Sequence, residues 1–306
     1  MMHLTTRTRA LAGFAALLVA GTALTACSSG GATASSGTDA KAAAKPVSID
    51  VVPEAADQLP DAIVKSGVLR VAIPTNEPPT QFYKEGTKEM TGLNPDIAAL
   101  VADALGLKLE VVVSNFDSII PGLEANRFDM TVSSMTPTED RMKALDFVEY
   151  VDMGSALVVK SGAKDSVDFD ALCGKKIAVL TGSYQLTVQI PVLDKACEDA
   201  GDKPLDVQQF QDTRQAISSL MSDRSDVVYA DGPILNYATL QNPDIEVASE
   251  NDIAPVGIGI TKDTGLTKPV ETAMTAILDS PEYVEVLKKY GLEKMAITDA
   301  RVNVAQ

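Results

Sequence analysis

"NPDIAALVADALGLKLEVVVS", residues 94–114, changes its apolar period half-way along. Ile97, Leu100, Val101, Ala104 and Leu105 recur at three- and four-residue intervals, which lines one face of a helix. The pattern predicts Asn94 as N-cap, Pro95 at the first helical position and Gly106 as the stop. From Leu107 onward "LKLEVVVS" alternates with period two, the signature of a strand. A helix followed at once by a strand is the repeating step of an α/β protein.

The same step recurs in both directions. "VLRVAIP" (68–74) reads as a strand, "FDSIIPGLEAN" (116–126) as a short helix capped by Asp117 with Pro121 in its first turn, and "FDMTVSS" (128–134) as a strand. "TPTEDRMKA" (136–144) reads as the helix that follows. A second series runs "KKIAVL", "SYQLTVQIPVLDKACEDAG", "LDVQQF", "TRQAISSLMSD", "DVVYAD" and "GPILNYATLQ". Alternation of this kind implies parallel sheets covered by helices. Two extended, glycine-containing segments, "YVDMGSALVVKSG" (150–162) and "IEVASENDIAPVGIGITK" (245–262), separate and close the second series. They predict two lobes with the chain crossing over and back, near Gly154 and Ile253. The expected boundaries are 59–154 for the first part of lobe 1, 155–252 for lobe 2 and 253–306 for the C-terminal part of lobe 1.

The N-terminus reads differently. "MMHLTTRTRA" carries Arg7 and Arg9 ahead of the apolar run "LAGFAALLVAGTAL", which is short for a bilayer span and fits a secretory signal over residues 1–26. "LTAC", Leu24 to Cys27, resembles the lipobox of bacterial lipoproteins, so Cys27 is the expected lipidation site; cleavage after Ala26 without lipidation is the alternative. A Ser/Gly/Ala-rich tether follows, giving an expected flexible linker over 27–58. Localisation is then extracytoplasmic, on the outer face of the cell membrane and held there by the lipid alone.

Loss of residues 1–26 removes two of the 26 basic residues and no acid, leaving 24 against 42 and a net charge of −18. That argues against nucleic acid and broad contact with anionic lipid. The single histidine, His3, lies in the signal, so the mature chain offers no histidine base or metal ligand, and neither metal nor cofactor is expected. Cys173 and Cys197 remain, a disulfide pair in an exported chain or else two buried thiols.

Function concentrates in "SSMTPTEDR", residues 133–141, at the carboxyl end of a predicted strand, where open α/β sheets bind ligands. Thr136, Pro137 and Glu139 fit a capping box, and a helix N-terminus there favours an anion. Arg141 adds a planar fork suited to a carboxylate, or pairs at the surface with Glu139 or Asp140.

The order of "GVLRVAIP", "TGLNPDIAALVADALG", "FDSIIPGLEANRFDMTVSSMTPTEDR", "LDFVEYV", "GKKIAVLTGSYQ", "DVVYAD" and "EYVEVLKKYGL" resembles the polar amino-acid-binding proteins that serve ABC importers. The resemblance implies the two-lobed type II periplasmic binding protein fold, with a ligand cleft between lobes and two crossover hinge strands. It implies that Arg141 grips an α-carboxylate with help from Ser134 and Thr136, and that Phe116 packs on the ligand side chain. Asp231 would receive the α-ammonium, or cap the helix that begins at Gly232. Gly182, Ser183 and Tyr184 stand where the family has a Gly-Thr-Thr-like turn, Tyr184 being the departure. In "TNEPPTQF", where the family often sets a ring over the ligand, this chain has Glu77, which could meet a basic side chain or remain a solvated loop acid.

The resulting expectation is a monomeric, non-enzymatic substrate-binding lipoprotein that delivers a free amino acid to ABC permease subunits by lobe closure. The rivals are an enzyme like the cyclohexadienyl dehydratases, which resemble the same fold, and a ligand sensor for a membrane receptor.

Overall fold

Residues 47–306 are described by the computed structural model; the signal, Cys27 and most of the tether lie outside the described residues. Eight strands form one sheet: β1 (Val68–Ile73), β2 (Lys108–Val113), β3 (Met130–Met135), β4 (Leu145–Lys160), β5 (Lys176–Leu180), β6 (Asp206–Phe210), β7 (Val227–Asp231) and β8 (Ile245–Thr261). Their order is β2-β1-β3-β8-β4-β7-β5-β6. β2, β1 and β3 are parallel, as are β7, β5 and β6. The long antiparallel pair β4 and β8 runs through the middle and belongs to both halves. The two extended segments of the sequence are these strands, and Ile253 pairs with Gly154 where one half gives way to the other.

Each half buries its own apolar faces. In lobe 1 the helix Leu93–Ala104 lays Ile97, Leu100, Val101 and Ala104 against β1 and β3, all fully buried. Burying each large aliphatic side chain contributes about 1.5–3 kcal/mol, which outweighs the weak helix preference of Ile97 and Val101. In lobe 2 Ile177 and Val179 of β5 pack with Tyr229 and Cys197, and the disulfide Cys173–Cys197 spans 5.5 Å between Cα atoms beside them.

Four local expectations are corrected. The helix predicted from Asn94 begins at Leu93 with Gly92 as N-cap, and Asn94 is fully buried inside it. Gly92 is required because the chain there crosses Thr80 so closely that a Cβ would lie 2.3 Å from its carbonyl oxygen, at φ +130°. Asp117 caps nothing: a 3-10 turn Phe116–Ser118 leads into the helix Ile119–Glu124 with no side-chain cap. Residues 136–144 contain no α-helix, only an irregular stretch and a 3-10 turn Arg141–Lys143. Thr136 and Thr138 are both buried, and residues two apart share a side only in extended chain. Lastly, part of the predicted linker is packed: Val47, Ile49 and Val52 lie against the lobe 1 core, and the short helix Pro53–Ala56 buries Ala55 there.

Candidate functional site

The carboxyl ends of β3, β5 and β7 meet across the cleft between the halves. There a cavity of about 20 Å³, room for about one water, is enclosed by residues of both lobes. Lobe 1 contributes Glu77, Phe116, Ser134, Thr136 and Arg141 to its walls; lobe 2 contributes Ser183, Tyr184, Gln185, Thr213 and Asp231. Gly182 stands just outside, lining a wider recess of about 470 Å³ that shares Phe116 and Arg141 with the small cavity. All nine residues anticipated for ligand contact are thus gathered at one place. Phe82, the ring nearest Glu77 along the chain, is not among the wall residues; it faces Tyr237, ring centroids 6.5 Å apart.

Arg141 is buried, 8% exposed, and bridges the lobes. Its Nη1 donates to the Thr136 carbonyl (2.7 Å), its Nη2 to the Gly182 carbonyl (2.8 Å), and its guanidinium carbon stands 5.5 Å from the centre of the Phe116 ring. Two of five N–H donors are used in this way, which leaves a planar fork for an anion. The surface pairing considered for Arg141 does not form, since Asp140 bonds Lys143 instead. With no helix at Thr136, the irregular turn replaces the expected dipole: Arg141 N–H donates to Thr138 Oγ1 (3.2 Å), and the carbonyl of Thr136 aims the side chain. Burial lowers the Arg141 pKa to about 10, with Asp231 partly offsetting the shift.

Asp231 ends β7 at the N-cap position of the helix Gly232–Gln241 but makes no side-chain cap bond. Its Oδ1 accepts from Gln185 Nε2 (2.8 Å), which also donates to Ser155 Oγ (2.9 Å). Gln185 opens a π-helical turn, Gln185–Gln189, which aims Gln185 and Gln189 at the same strands. Ser183 Oγ accepts from Leu186 N–H at the start of that turn. Burial raises the Asp231 pKa to about 6, against the opposing pull of Gln185 and Arg141.

Glu77 is not a solvated loop acid. It is 3% exposed, Oε1 accepts from Thr213 Oγ1 (2.9 Å) and Thr213 N (3.3 Å) across the cleft, and Oε2 accepts from Gln81 Nε2 (2.7 Å). Burial pushes its pKa up to about 7, the Thr213 bonds oppose this, and Asp231 and Asp212 add to it.

Behind Glu77 runs a chain of amides. Asn94 Nδ2 donates to Gln81 Oε1 (2.5 Å) and to Ser134 Oγ (3.0 Å), while Asn94 Oδ1 accepts from Tyr150 O–H (2.7 Å). Tyr150 Oη in turn accepts from Ser134 N–H (2.9 Å). Ser134 has φ +54°, a conformation non-glycine residues adopt at a cost of about 1–3 kcal/mol, and these bonds hold it there. Tyr150, Gln185 and Thr213 escaped the sequence reading, and Asn94 was read only as a helix cap. No local pattern marks Gln185 or Thr213, because their partners Asp231 and Glu77 lie 46 and 136 residues away in the chain. Among the described residues, no group of three or more acids, cysteines or histidines is arranged to hold a metal ion.

Residues 69–293 match the family described as bacterial extracellular solute-binding proteins, family 3. The chain is 25% identical over 256 residues to the arginine-binding protein ArgT of Corynebacterium glutamicum, covering 83% of this chain and 84% of that one. An ancestral arginine-binding protein bound to arginine superposes with a TM-score of 0.67 at 31% identity, covering 73% of this chain and 98% of its own. An ancestral amino acid-binding protein described as a precursor of cyclohexadienyl dehydratase gives 0.67 at 28%, covering 75% and 98%. The chain belongs to the family 3 bacterial extracellular solute-binding proteins, in its polar amino-acid-binding, type II branch.

Proposed function

We propose that this protein binds one free α-amino acid between its lobes and presents it to the permease of an ABC importer, from a lipid anchor at Cys27. Arg141 of lobe 1 takes the α-carboxylate, with Ser134 and Thr136 beside it, and Asp231 of lobe 2 takes the α-ammonium. Phe116 and the turn Gly182–Tyr184 enclose the rest of the ligand. The observation that carries this reading is that a buried arginine and a half-buried carboxylate, from opposite halves of the sheet, wall one cavity. A zwitterion satisfies both at once, so its binding free energy favours the shut arrangement, and a permease can read that difference.

The test is calorimetry of the mature chain against the twenty amino acids. At least one binds with submillimolar affinity, and Arg141→Ala abolishes that binding; binding that survives the substitution removes Arg141 from its role. One observation favours an enzymatic reading: Glu77, a carboxyl titrating near neutrality in a closed site, is suited to proton transfer, and a precursor of a dehydratase shares the fold. Turnover of prephenate or arogenate by the purified protein would establish it over binding alone.

A further inference from the structure

The charges around the cavity do not balance for a neutral amino acid. Arg141 meets a ligand carboxylate and Asp231 a ligand ammonium, which leaves Glu77 over. Arg141 walls the same cavity, and the charged groups that push the Glu77 pKa up are Asp231 and Asp212, both carboxylates. Of the roughly four acceptor positions on a carboxylate, Thr213 occupies two and Gln81 one, so one remains on Oε2. A buried carboxylate without a counter-charge is costly, and a cation brought by the ligand relieves that cost.

There is also somewhere for a long side chain to go. Glu77, Phe116 and Leu180 wall the small cavity and also a second one of about 240 Å³. The second cavity is polar, bounded further by Asn76, Asn115, Gln211 and Asp212. It also contains Thr75, whose hydroxyl oxygen is buried with no hydrogen-bond partner.

We infer that Glu77 makes this pocket selective for amino acids with a positively charged side chain, which runs past Phe116 and Leu180 into the cavity that Asp212 and Thr75 line. The inference rests on the amino-acid-binding reading above and assigns Glu77 the role of specificity determinant. Glu77 must be ionised to hold the cation, whereas a neutral ligand is best accommodated when Glu77 carries a proton. Charge discrimination therefore grows as the pH rises through the region where Glu77 titrates, near 7. Asp231 titrates nearby, but both kinds of ligand present the same ammonium to it, so its effect cancels from their ratio.

The experiment is calorimetric titration of the wild-type chain with arginine and with citrulline, its neutral isostere, at about pH 8 and pH 6. Arginine binds at least about tenfold tighter than citrulline at the higher pH. The ratio shrinks towards the lower pH, by up to about tenfold for each unit below the Glu77 pKa. Glu77→Gln brings the ratio close to one at both pH values. Equal affinities at the higher pH, a ratio independent of pH, or a ratio retained in Glu77→Gln each overturn the inference. If Glu77→Gln does not fold, the wild-type ratios at the two pH values decide alone. Tight binding of a neutral amino acid with none of arginine or lysine overturns the inference and leaves amino-acid binding standing. Binding of no amino acid at all removes both.

Discussion

Replacing Asp231 by asparagine removes a charge without changing the shape of the side chain. Gln185 Nε2 still finds an oxygen where Oδ1 stood. The pKa of Asp231 is raised from 3.8 to about 6, so the protein free of ligand is destabilised wherever this group is ionised. A shift of that size corresponds to about 3 kcal/mol at most, at 1.36 kcal/mol per unit. Asp231 is partly accessible at the cleft although protein atoms surround its carboxylate, and solvent screening reduces the figure to about 1–2 kcal/mol. The sign follows from the raised value. Stability from this group is full below about pH 4, where both states are protonated, and is lost as the pH rises through about 6. Urea unfolding without ligand should therefore find Asp231→Asn more stable than wild type by about 1–2 kcal/mol at pH 8, with the difference closing towards pH 4. On the proposed reading, calorimetry at pH 8 should find amino-acid binding weakened by at least about a hundredfold, because the charge-assisted bond proposed to the ammonium is gone and that cation is left unpaired. A variant that is less stable at pH 8, or that binds as well as wild type, refutes the reasoning.

Two other substitutions probe the framework. Tyr150→Phe removes the hydroxyl shared by Asn94 and Ser134, leaving a buried acceptor and a buried N–H without partners; chemical unfolding should show a loss of about 2–4 kcal/mol, accompanied by weaker ligand binding through the released Ser134. Replacing Cys173 and Cys197 together by serine opens a loop closed over a sequence separation of 24 and should lower stability by about 3 kcal/mol, seen as a fall in Tm, with ligand affinity unchanged because the bridge lies within the lobe 2 core away from the cleft.

Periodicity carried the architecture. The 3.6-residue spacing of Ile97, Leu100 and Val101 and the alternation after Leu107 are consequences of burial on one face, and burial acts locally along the chain. Propensity arguments at helix ends were less secure. Asn94 and Pro95 look like a helix start, but Asn94 is worth more as a buried partner of Tyr150, 56 residues away, than as a cap. Thr136-Pro137-Thr138-Glu139 has the composition of a capping box, yet Arg141 needs the Thr136 carbonyl within reach, and no helix forms. Of the candidate site, Arg141 was left open by its local sequence between a carboxylate fork and a surface pair, and Asp231 entered only through the family resemblance. Gln185 was not legible, because a glutamine acquires meaning only from the carboxylate it faces, and Asp231 is 46 residues away.

The contacts that join the lobes bear on how a binding protein of this kind could signal occupancy. Arg141 to Gly182, Glu77 to Thr213 and Asn76 to Asp212 cross the cleft between protein groups alone. Each contributes about 1 kcal/mol net, or somewhat more where a charge is involved, against the cost of burying Glu77 and Asp231 ionised. The shut arrangement is therefore held by polar bonds while its charges oppose it. Shifting such an equilibrium from one part in a hundred to ninety-nine requires about 5.5 kcal/mol of preference for the shut form. One charge-assisted bond contributes about 1.5–3 kcal/mol, so a group bound at one end of the cleft falls short. On the proposed reading, a zwitterion engages Arg141 and Asp231 together, and a cationic side chain neutralises Glu77 as well. The same carboxylates that weaken the shut form in isolation make it depend on a ligand with the complementary charges.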